Sequence, residues 1–287
     1  MIKFGPSGNS DSFYRDGRKN TFEAPQWLSE KGLNAYEYSF GRGINVSDET
    51  ARKIGEKCKE FGVELSVHAP YYVNLANPDD EMAKKSFGYI VNSAKKLMQF
   101  GGNRVIFHPA SVGKATREQA VKLTMQRMYA LRDEIYKNNL QHLTFCPEVM
   151  GKINQIGDLE EVLNFCTIDP CFVPTIDFGH LNARTHGLLK TQKDFEQAIE
   201  KSIEIIGFEK TAKIHIHFSK IEYSNGGEVK HLTFHDQAYG PNFENLAPVL
   251  VKYKLEPMVI CESDGTQAED ALYMKTIYQN ILEKTND

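Results

Sequence analysis

The chain has 287 residues, of which 41% are hydrophobic and 25% are charged, and its formal net charge is −4. A chain of this length can fold as one large domain or two smaller ones, and it can bury a substantial core. The negative charge balance argues against a generally basic surface for nucleic acid, although a local basic patch is compatible with it.

The composition also bears on the compartment. No run approaches the roughly 20 apolar residues that a transmembrane helix requires. The N-terminal residues 1–9 lack an apolar signal region and resemble a first strand, so we expect a cytoplasmic protein with no membrane partner. We also expect a monomer. The five cysteines contain no CxxC pair, which argues against a disulfide framework and a thiolate zinc ribbon. We expect Cys146 and Cys261 to be small strand residues, not ligands.

Eight strand-like segments follow one another along the chain. They cover residues 2–6, 33–39, 63–69, 104–109, 142–149, 173–178, 212–219 and 257–262. Helix-type segments lie between them: one has Ser47 or Asp48 as a candidate N-cap, and the next closes on Gly101. A strand-plus-helix unit of roughly 30–40 residues is typical of alternating β/α structure. The pattern predicts an α/β protein, a single (β/α)₈ TIM barrel over residues 1–287.

The polar segment 224–237 follows the seventh predicted strand. It contains glycine and is too long for an ordinary connection between a strand and a helix. We expect a functional loop on the face where the strands end.

Side chains that commonly bind metals stand at the carboxyl ends of six predicted strands. They are His68, His108, Glu148, Asp177 with His180, His217, and Glu262. In a parallel barrel all strands end on one rim, where the active sites of such barrels lie. Any one of these residues can be satisfied locally, but six strands in order predict one metal site. A set of histidines and carboxylates without thiolates suits zinc, manganese or iron.

Two short spacings refine this prediction. Asp177 and His180 can both face the site if the chain turns at Gly179. His215 and His217 share one face of a strand because they are two residues apart. His217, nearer the carboxyl end, is the expected ligand. His215 would lie one layer deeper, as a hydrogen-bonded support or as barrel filling, and is less favoured as a ligand.

These motifs resemble those of the endonuclease IV family of apurinic/apyrimidinic endonucleases, within the xylose-isomerase-like barrel superfamily. The resemblance runs from about residue 60 onwards and is strongest in HAPYYVNLANP, FHPAS, PEVMGKINQIGDLEEV, IDFGHLNAR, HIHFSKIEY and ICES. In that family, metal-activated water cleaves the DNA backbone on the 5′ side of an abasic site. The resemblance therefore implies a DNA-repair hydrolase that binds DNA containing abasic sites and holds two or three divalent ions, zinc foremost.

The resemblance also assigns ligands. It implies a first metal held by His68, His108 and Glu148. It implies a second held by Glu148, Asp177, His217 and Glu262, with Glu148 as the bridge. Glu148 and Glu262 are the candidate catalytic residues.

A third metal in the best-known members needs a His–Asp–His set. His180 and His231 supply the histidines, but Val229 stands where the family has its aspartate. His235 could replace His231, and Glu228 or Asp236 could supply the carboxylate, because the alignment of this loop is ambiguous. We expect the third site to hold its ion weakly or not at all.

Tyr71 stands where the family has a tyrosine that enters the DNA near the lesion. An aromatic side chain on a rim loop can stack on an unpaired base, which contributes about 1–3 kcal/mol. The alternative is that Tyr71 and Tyr72 simply cap the barrel. Arg42, Arg184 and Lys220 could reach phosphates, although such residues are more commonly solvated charges.

A sugar isomerase or epimerase on the same barrel is an alternative from a different class. Such an enzyme holds one metal through four side chains, which Glu148, Asp177, His217 and Glu262 would match, and its two glutamates move a proton beside a carbonyl. It has no need of His108 or of a His180/His231 pair. A barrel that binds metal or DNA without turnover is a third possibility, which the nearly complete ligand set disfavours.

Overall fold

The computed structural model of the protein describes residues 1–286. In chain order the strands are β1 (Lys3–Pro6), β2 (Ala35–Ser39), β3 (Glu64–His68), β4 (Arg104–Phe107), β5 (Ala110–Ser111), β6 (Thr144–Pro147), β7 (Gln155–Ile156), β8 (Thr175–Asp177), β9 (His215–Phe218), β10 (Lys220–Ser224), β11 (Gly227–Leu232) and β12 (Met258–Cys261). All eight predicted strands are present as β1, β2, β3, β4, β6, β8, β9 and β12. Each is one to four residues shorter than predicted.

These eight strands close into a barrel. Hydrogen bonds between parallel neighbours give two four-stranded arcs, β1–β12–β9–β8 and β2–β3–β4–β6. Isolated parallel bridges join the arcs: Ser7 to Glu37 on one side, and Phe145 to Phe172 and Glu148 to Thr175 on the other. The predicted (β/α)₈ TIM barrel is confirmed. At the first seam a Cβ on Gly5 would lie 1.7 Å from the Ala35 carbonyl oxygen, so only glycine allows this approach.

The helices surround the barrel. They are α1 (Asp11–Arg15), α2 (Ala24–Glu30), α3 (Asp48–Phe61), α4 (Asp80–Phe100), α5 (Arg117–Lys137), α6 (Leu159–Phe165), α7 (Phe178–Arg184), α8 (Gln192–Ile206), α9 (Phe208–Thr211), α10 (Phe243–Lys252) and α11 (Gln267–Asn286). Ser47 is the N-cap of α3, since its side chain accepts a hydrogen bond from the Thr50 amide, and α4 ends at Gly101 in the left-handed conformation. None of the described helices combines the length and the apolar character needed to cross a bilayer.

The hydrophobic core has two unequal parts. The large part packs the outer faces of the strands against the helices. The small part consists of Ala35, Met258 and Ile260 inside the barrel. Three polar residues, Glu37, His215 and His217, are also fully buried. The register pairs His215 with Met258 and His217 with Ile260, so the barrel interior combines apolar and polar side chains.

The predicted loop 224–237 is partly regular. Its first half pairs with the preceding residues as the antiparallel hairpin β10–β11, which turns at Asn225–Gly226. Asn-Gly is the strongest short signal for a two-residue hairpin turn, so a hairpin rather than an irregular loop could have been predicted here. The register shifts between Glu222 and Tyr223, which pair with Lys230 and Glu228, so Val229 is the extra residue of a β-bulge.

Candidate metal centre

The first predicted cluster is assembled at the carboxyl ends of three neighbouring strands. The ligand atoms of His68, His108 and Glu148 lie within 4.8 Å of one another. Glu148 Oε2 is 3.1 Å from Nε2 of His68 and 3.2 Å from Nε2 of His108. His68 Nδ1 lies 2.8 Å from the Ala69 carbonyl oxygen, which can only accept, so Nδ1 carries a proton and Nε2 faces the cluster. This tautomer suits a metal ligand.

Glu148 also belongs to the second predicted cluster. Its other oxygen, Oε1, lies 2.9 Å from Nδ1 of His217, and Glu262 Oε2 lies 3.5 Å from the same nitrogen. Asp177 completes this group, whose ligand atoms again lie within 4.8 Å of one another. The carboxylate of Glu148 thus has one oxygen in each cluster, the arrangement that a bridging ligand requires.

Asp177 provides a direct test of whether a cation fits. Its Oδ1 accepts the His180 amide hydrogen at 2.7 Å as the N-cap of α7. Its Oδ2 is buried without a hydrogen-bond donor. The His180 Nδ1 atom is 3.1 Å away, but its hydrogen is directed to the Val149 carbonyl oxygen. A buried carboxylate oxygen without a donor is costly unless a cation satisfies it, so the residues present fit a metal ion.

A third cluster consists of His180, Glu228 and His231. Nε2 of His180 lies 3.4 Å from Glu228 Oε2, and Nδ1 of His231 lies 2.9 Å from the Ser219 hydroxyl. The structure therefore brings His180 and His231 together as predicted, and it supplies a carboxylate where an incomplete set was expected. Val229 has no part in the cluster, and its side chain is 49% exposed.

The β-bulge explains why the carboxylate comes from position 228. In a regular strand, residues two apart share a face, so Val229 would lie on the face of His231. The extra residue shifts this alternation by one, and Glu228 lies on the cluster side instead. His235 and Asp236 are not members of the cluster; Asp236 Oδ2 accepts hydrogen bonds from the Thr233 amide and hydroxyl.

Gly151 allows the third cluster to form. A Cβ at this position would lie 2.6 Å from the Cβ of Glu228 and 2.8 Å from Cδ2 of His180. Real side chains do not approach so closely, so Glu228 and His180 reach each other only because residue 151 lacks a side chain.

The carboxylates of the centre change the pKa values of the neighbouring histidines. Burial acts to lower the pKa of His180, but Asp177, Glu228 and Glu148 outweigh it and raise the pKa to about 9. Burial likewise opposes a proton on His217, yet Glu262, Glu37 and Glu148 raise the pKa of His217 well above its usual range. The carboxylates therefore favour positive charge at both histidines. A divalent cation that binds here must displace those protons.

Beneath the second cluster lies a buried group that the sequence did not predict. Glu37, in the middle of β2, contacts both His215 and His217. His215 thus lies one layer deeper than His217, as a hydrogen-bonded support. The signal for Glu37 was present in the sequence, since it is a lone acid inside an otherwise apolar strand, AYEYS.

Tyr71 lies on the rim beside the first cluster. Its ring stacks on His108, with centroids 5.4 Å apart, and 54% of the residue is exposed. Tyr72 is equally exposed but packs towards Tyr89 in α4. The two tyrosines are therefore not equivalent, and Tyr71 is the one that contacts a cluster residue.

Two basic residues considered for phosphate binding have other partners. The Arg184 guanidinium donates to the backbone carbonyls of Met150, Lys152 and Gln155. The Lys220 ammonium donates to the carbonyls of Phe234 and Asp236. Both support rim loops, because backbone carbonyls there face inward and need donors.

Arg42, the third candidate, is exposed. Cys146 and Cys261 are fully buried strand residues, and no cysteine belongs to the three clusters described above or to the buried group of Glu37, His215 and His217.

The chain is similar to proteins whose names indicate different activities. An uncharacterized protein of Methanocaldococcus jannaschii is 31% identical over 277 residues, which cover 96% of each chain. A probable endonuclease 4 of Acholeplasma laidlawii is 26% identical over 176 residues, or 57% of this chain and 56% of that protein. The crystal structure of a D-tagatose 3-epimerase-like protein superposes over 100% of both chains with a TM-score of 0.71 and 18% identity.

The similarity to the epimerase-like structure, at this low identity, concerns the fold alone. The family model described as xylose isomerase-like TIM barrel matches residues 25–277. The chain therefore belongs to the xylose isomerase-like TIM barrel family.

Proposed function

We propose that the protein is a metal-dependent phosphodiesterase of DNA repair that cleaves the DNA backbone on the 5′ side of abasic sites. The observation that carries this proposal is the position of Glu148, whose two oxygens belong to two different donor clusters. A carboxylate shared in this way suits two ions at the separation of roughly 3.5–4 Å that two-metal phosphoryl chemistry uses.

The three clusters would each hold one ion. His68 and His108 would hold the first ion, Asp177, His217 and Glu262 the second, and Glu148 would bridge them. His180, Glu228 and His231 would hold the third. When bound, such ions supply Lewis-acid activation of water and phosphate, and the donor set suits zinc, with manganese or iron as alternatives.

The charge of the centre favours a phosphate ester. Glu148, Asp177, Glu262 and Glu228 bring four negative charges and the buried Glu37 adds a fifth, whereas three divalent ions would bring six positive charges. The resulting excess of one positive charge would lie on a rim that is otherwise part of a negatively charged protein. A phosphodiester is therefore attracted to this rim specifically and not to the surface in general.

Tyr71 supports a role for DNA at the same rim. Its exposed ring next to His108 can stack on an unpaired base while the backbone approaches the donor clusters. An abasic nucleotide is rotated out of the helix at lower cost than a normal one, because no base pair has to be broken. The partial similarity to a probable endonuclease 4 agrees with this substrate.

A sugar isomerase or epimerase remains a second candidate, for a specific reason. Glu148 and Glu262 both lie at His217, and burial raises the pKa of Glu262, so this carboxyl is suited to exchange a proton. That chemistry would leave His68, His108 and the third cluster without a use. The phosphodiesterase accounts for all of them.

One experiment separates the two candidates. The purified protein is incubated with a duplex that carries a single abasic analogue, with an undamaged duplex of the same sequence, and with ketohexoses such as D-tagatose. We expect one cut immediately 5′ to the analogue, none in the undamaged duplex, and no sugar conversion. Epimerisation of a ketohexose without any cut would support the second candidate.

A further inference from the structure

The buried group beneath the second cluster carries a role of its own. We infer that Glu37 is a positioning residue that holds the His217 ring with Nδ1 directed at Glu148 and Glu262, and so sets the affinity of that cluster for its cation. This inference rests on the proposed function in one respect, since it requires that the cluster binds a cation.

The two nitrogens of the His217 ring contact different carboxylates: one is a proposed metal ligand and the other is the proposed positioning residue. Nδ1 faces the cluster, 2.9 Å from Glu148 Oε1. Nε2 lies 3.0 Å from Glu37 Oε1, on the side towards the barrel interior. Neither atom has an aligned hydrogen-bond partner, so the contact between them is a close electrostatic one and not a hydrogen bond. The ring is held between the two carboxylates.

Glu37 itself cannot reorient. Its second oxygen, Oε2, accepts a hydrogen bond from the Ser66 hydroxyl at 2.8 Å and another from His215 Nε2 at 3.0 Å. Glu37, Ser66, His215 and His217 are all fully buried. Two donors on Oε2 leave Oε1 directed at His217, so the carboxylate has one orientation.

A fixed carboxylate behind a histidine has a known consequence for metal binding. A neutral imidazole that offers Nδ1 to a cation must keep its hydrogen on Nε2, and a carboxylate next to Nε2 stabilises that form and makes Nδ1 more basic. Removal of such a partner weakens metal binding by about 10- to 100-fold. If the group only filled space, apolar side chains such as those of Met258 and Ile260, which pair with His215 and His217, would serve at lower cost.

The test is Glu37→Gln, which keeps the size of the side chain and removes its charge. Zinc affinity is measured by competition with a chromogenic chelator, and the nitrogen chemical shifts of His217 report which nitrogen carries hydrogen. We expect one zinc ion per chain to bind about 10- to 100-fold more weakly, with the ion of the third cluster unchanged. Glu64→Gln is the matched control, because Glu64 lies on β3 in an ion pair with Lys3, away from the clusters.

The outcomes are distinct. If Glu37→Gln binds every ion as the wild type does and His217 keeps a hydrogen on Nε2 only, the role of Glu37 is overturned while the proposed function stands. If the wild type itself takes up no zinc, manganese or iron, the proposed function fails and this inference fails with it. If Glu37→Gln does not fold, Ser66→Ala carries the test. Loss of the hydrogen bond to Glu37 should then weaken the same ion to a smaller degree, and unchanged affinity would refute the inference.

Discussion

At the scale of single residues, Glu148 connects the clusters of the centre. Its oxygens lie within 3.5 Å of nitrogens from His68, His108, His180 and His217. An amide in its place keeps the shape but removes the charge that two cations would share. We expect Glu148→Gln to lose nearly all cleavage of abasic DNA while it keeps the circular dichroism spectrum of the wild type. Cleavage at a near wild-type rate would show that Glu148 is not the bridge.

Gly151 allows the third cluster to be tested by a purely steric change. A methyl group there would lie within 3 Å of Glu228 and His180, so Gly151→Ala should displace one of them and weaken the third ion. Gly226→Ala is the control in the hairpin that packs on this segment, since its nearest neighbour would be 3.8 Å away. Isothermal titration with zinc measures the difference. Equal affinity for all ions in the two variants would contradict the close approach at Gly151.

The raised pKa of His180 predicts a pH dependence of stability in protein treated with a chelator. The pKa rises from 6.5 to about 9 on folding, so the folded state binds this proton more tightly. The stabilisation, up to about 3 kcal/mol, is complete below pH 6.5 and is lost as the pH rises through 9. Urea unfolding of wild type and His180→Asn should therefore give a gap in unfolding free energy that narrows between pH 6.5 and 9. A gap that is constant or widens would contradict the assigned pKa.

At the scale of secondary structure elements, the hairpin β10–β11 decides which residue completes the third cluster. Because the β-bulge places Glu228 at the cluster and Val229 at the surface, we expect Glu228→Gln to weaken the third ion. Val229→Asp should leave that ion unchanged, although it restores the aspartate that the resemblance calls for. Zinc titration of the two variants is the measurement. If Val229→Asp strengthens the third ion, the strand lacks the bulge and the residues alternate regularly.

The same hairpin shows what sequence reasoning could reach. Asn225–Gly226 marks the turn, so the existence of the hairpin was predictable in principle. The bulge was not, because a register shift depends on how β10 and β11 pair and on the packing of Gly227 against Gly151, contacts between residues distant in sequence. A family pattern read at fixed spacing therefore placed Val229 at the aspartate position and could not choose between Glu228 and Asp236 as the carboxylate.

At the scale of the whole molecule, the barrel itself was the most predictable feature. Eight apolar runs separated by helix-type segments suffice to predict it, and the closure of the barrel brings strand ends together that are far apart in sequence. His68 and Glu262 come to one rim for this reason. Glu37 stands out in the sequence as a lone acid in mid-strand, but its partners could not be predicted, because β2 meets His215 and His217 only inside the closed barrel.

The central claim, that more than one cation meets at Glu148, is tested most directly by the number of ions per chain. Elemental analysis and anomalous scattering on zinc-loaded wild type and His108→Ala provide that number. We expect two or three ions in the wild type, with two of them in contact with Glu148, and loss of the ion nearest His68 in the variant. A single ion held by Glu148, Asp177, His217 and Glu262, unchanged in His108→Ala, would contradict the claim and favour the sugar isomerase.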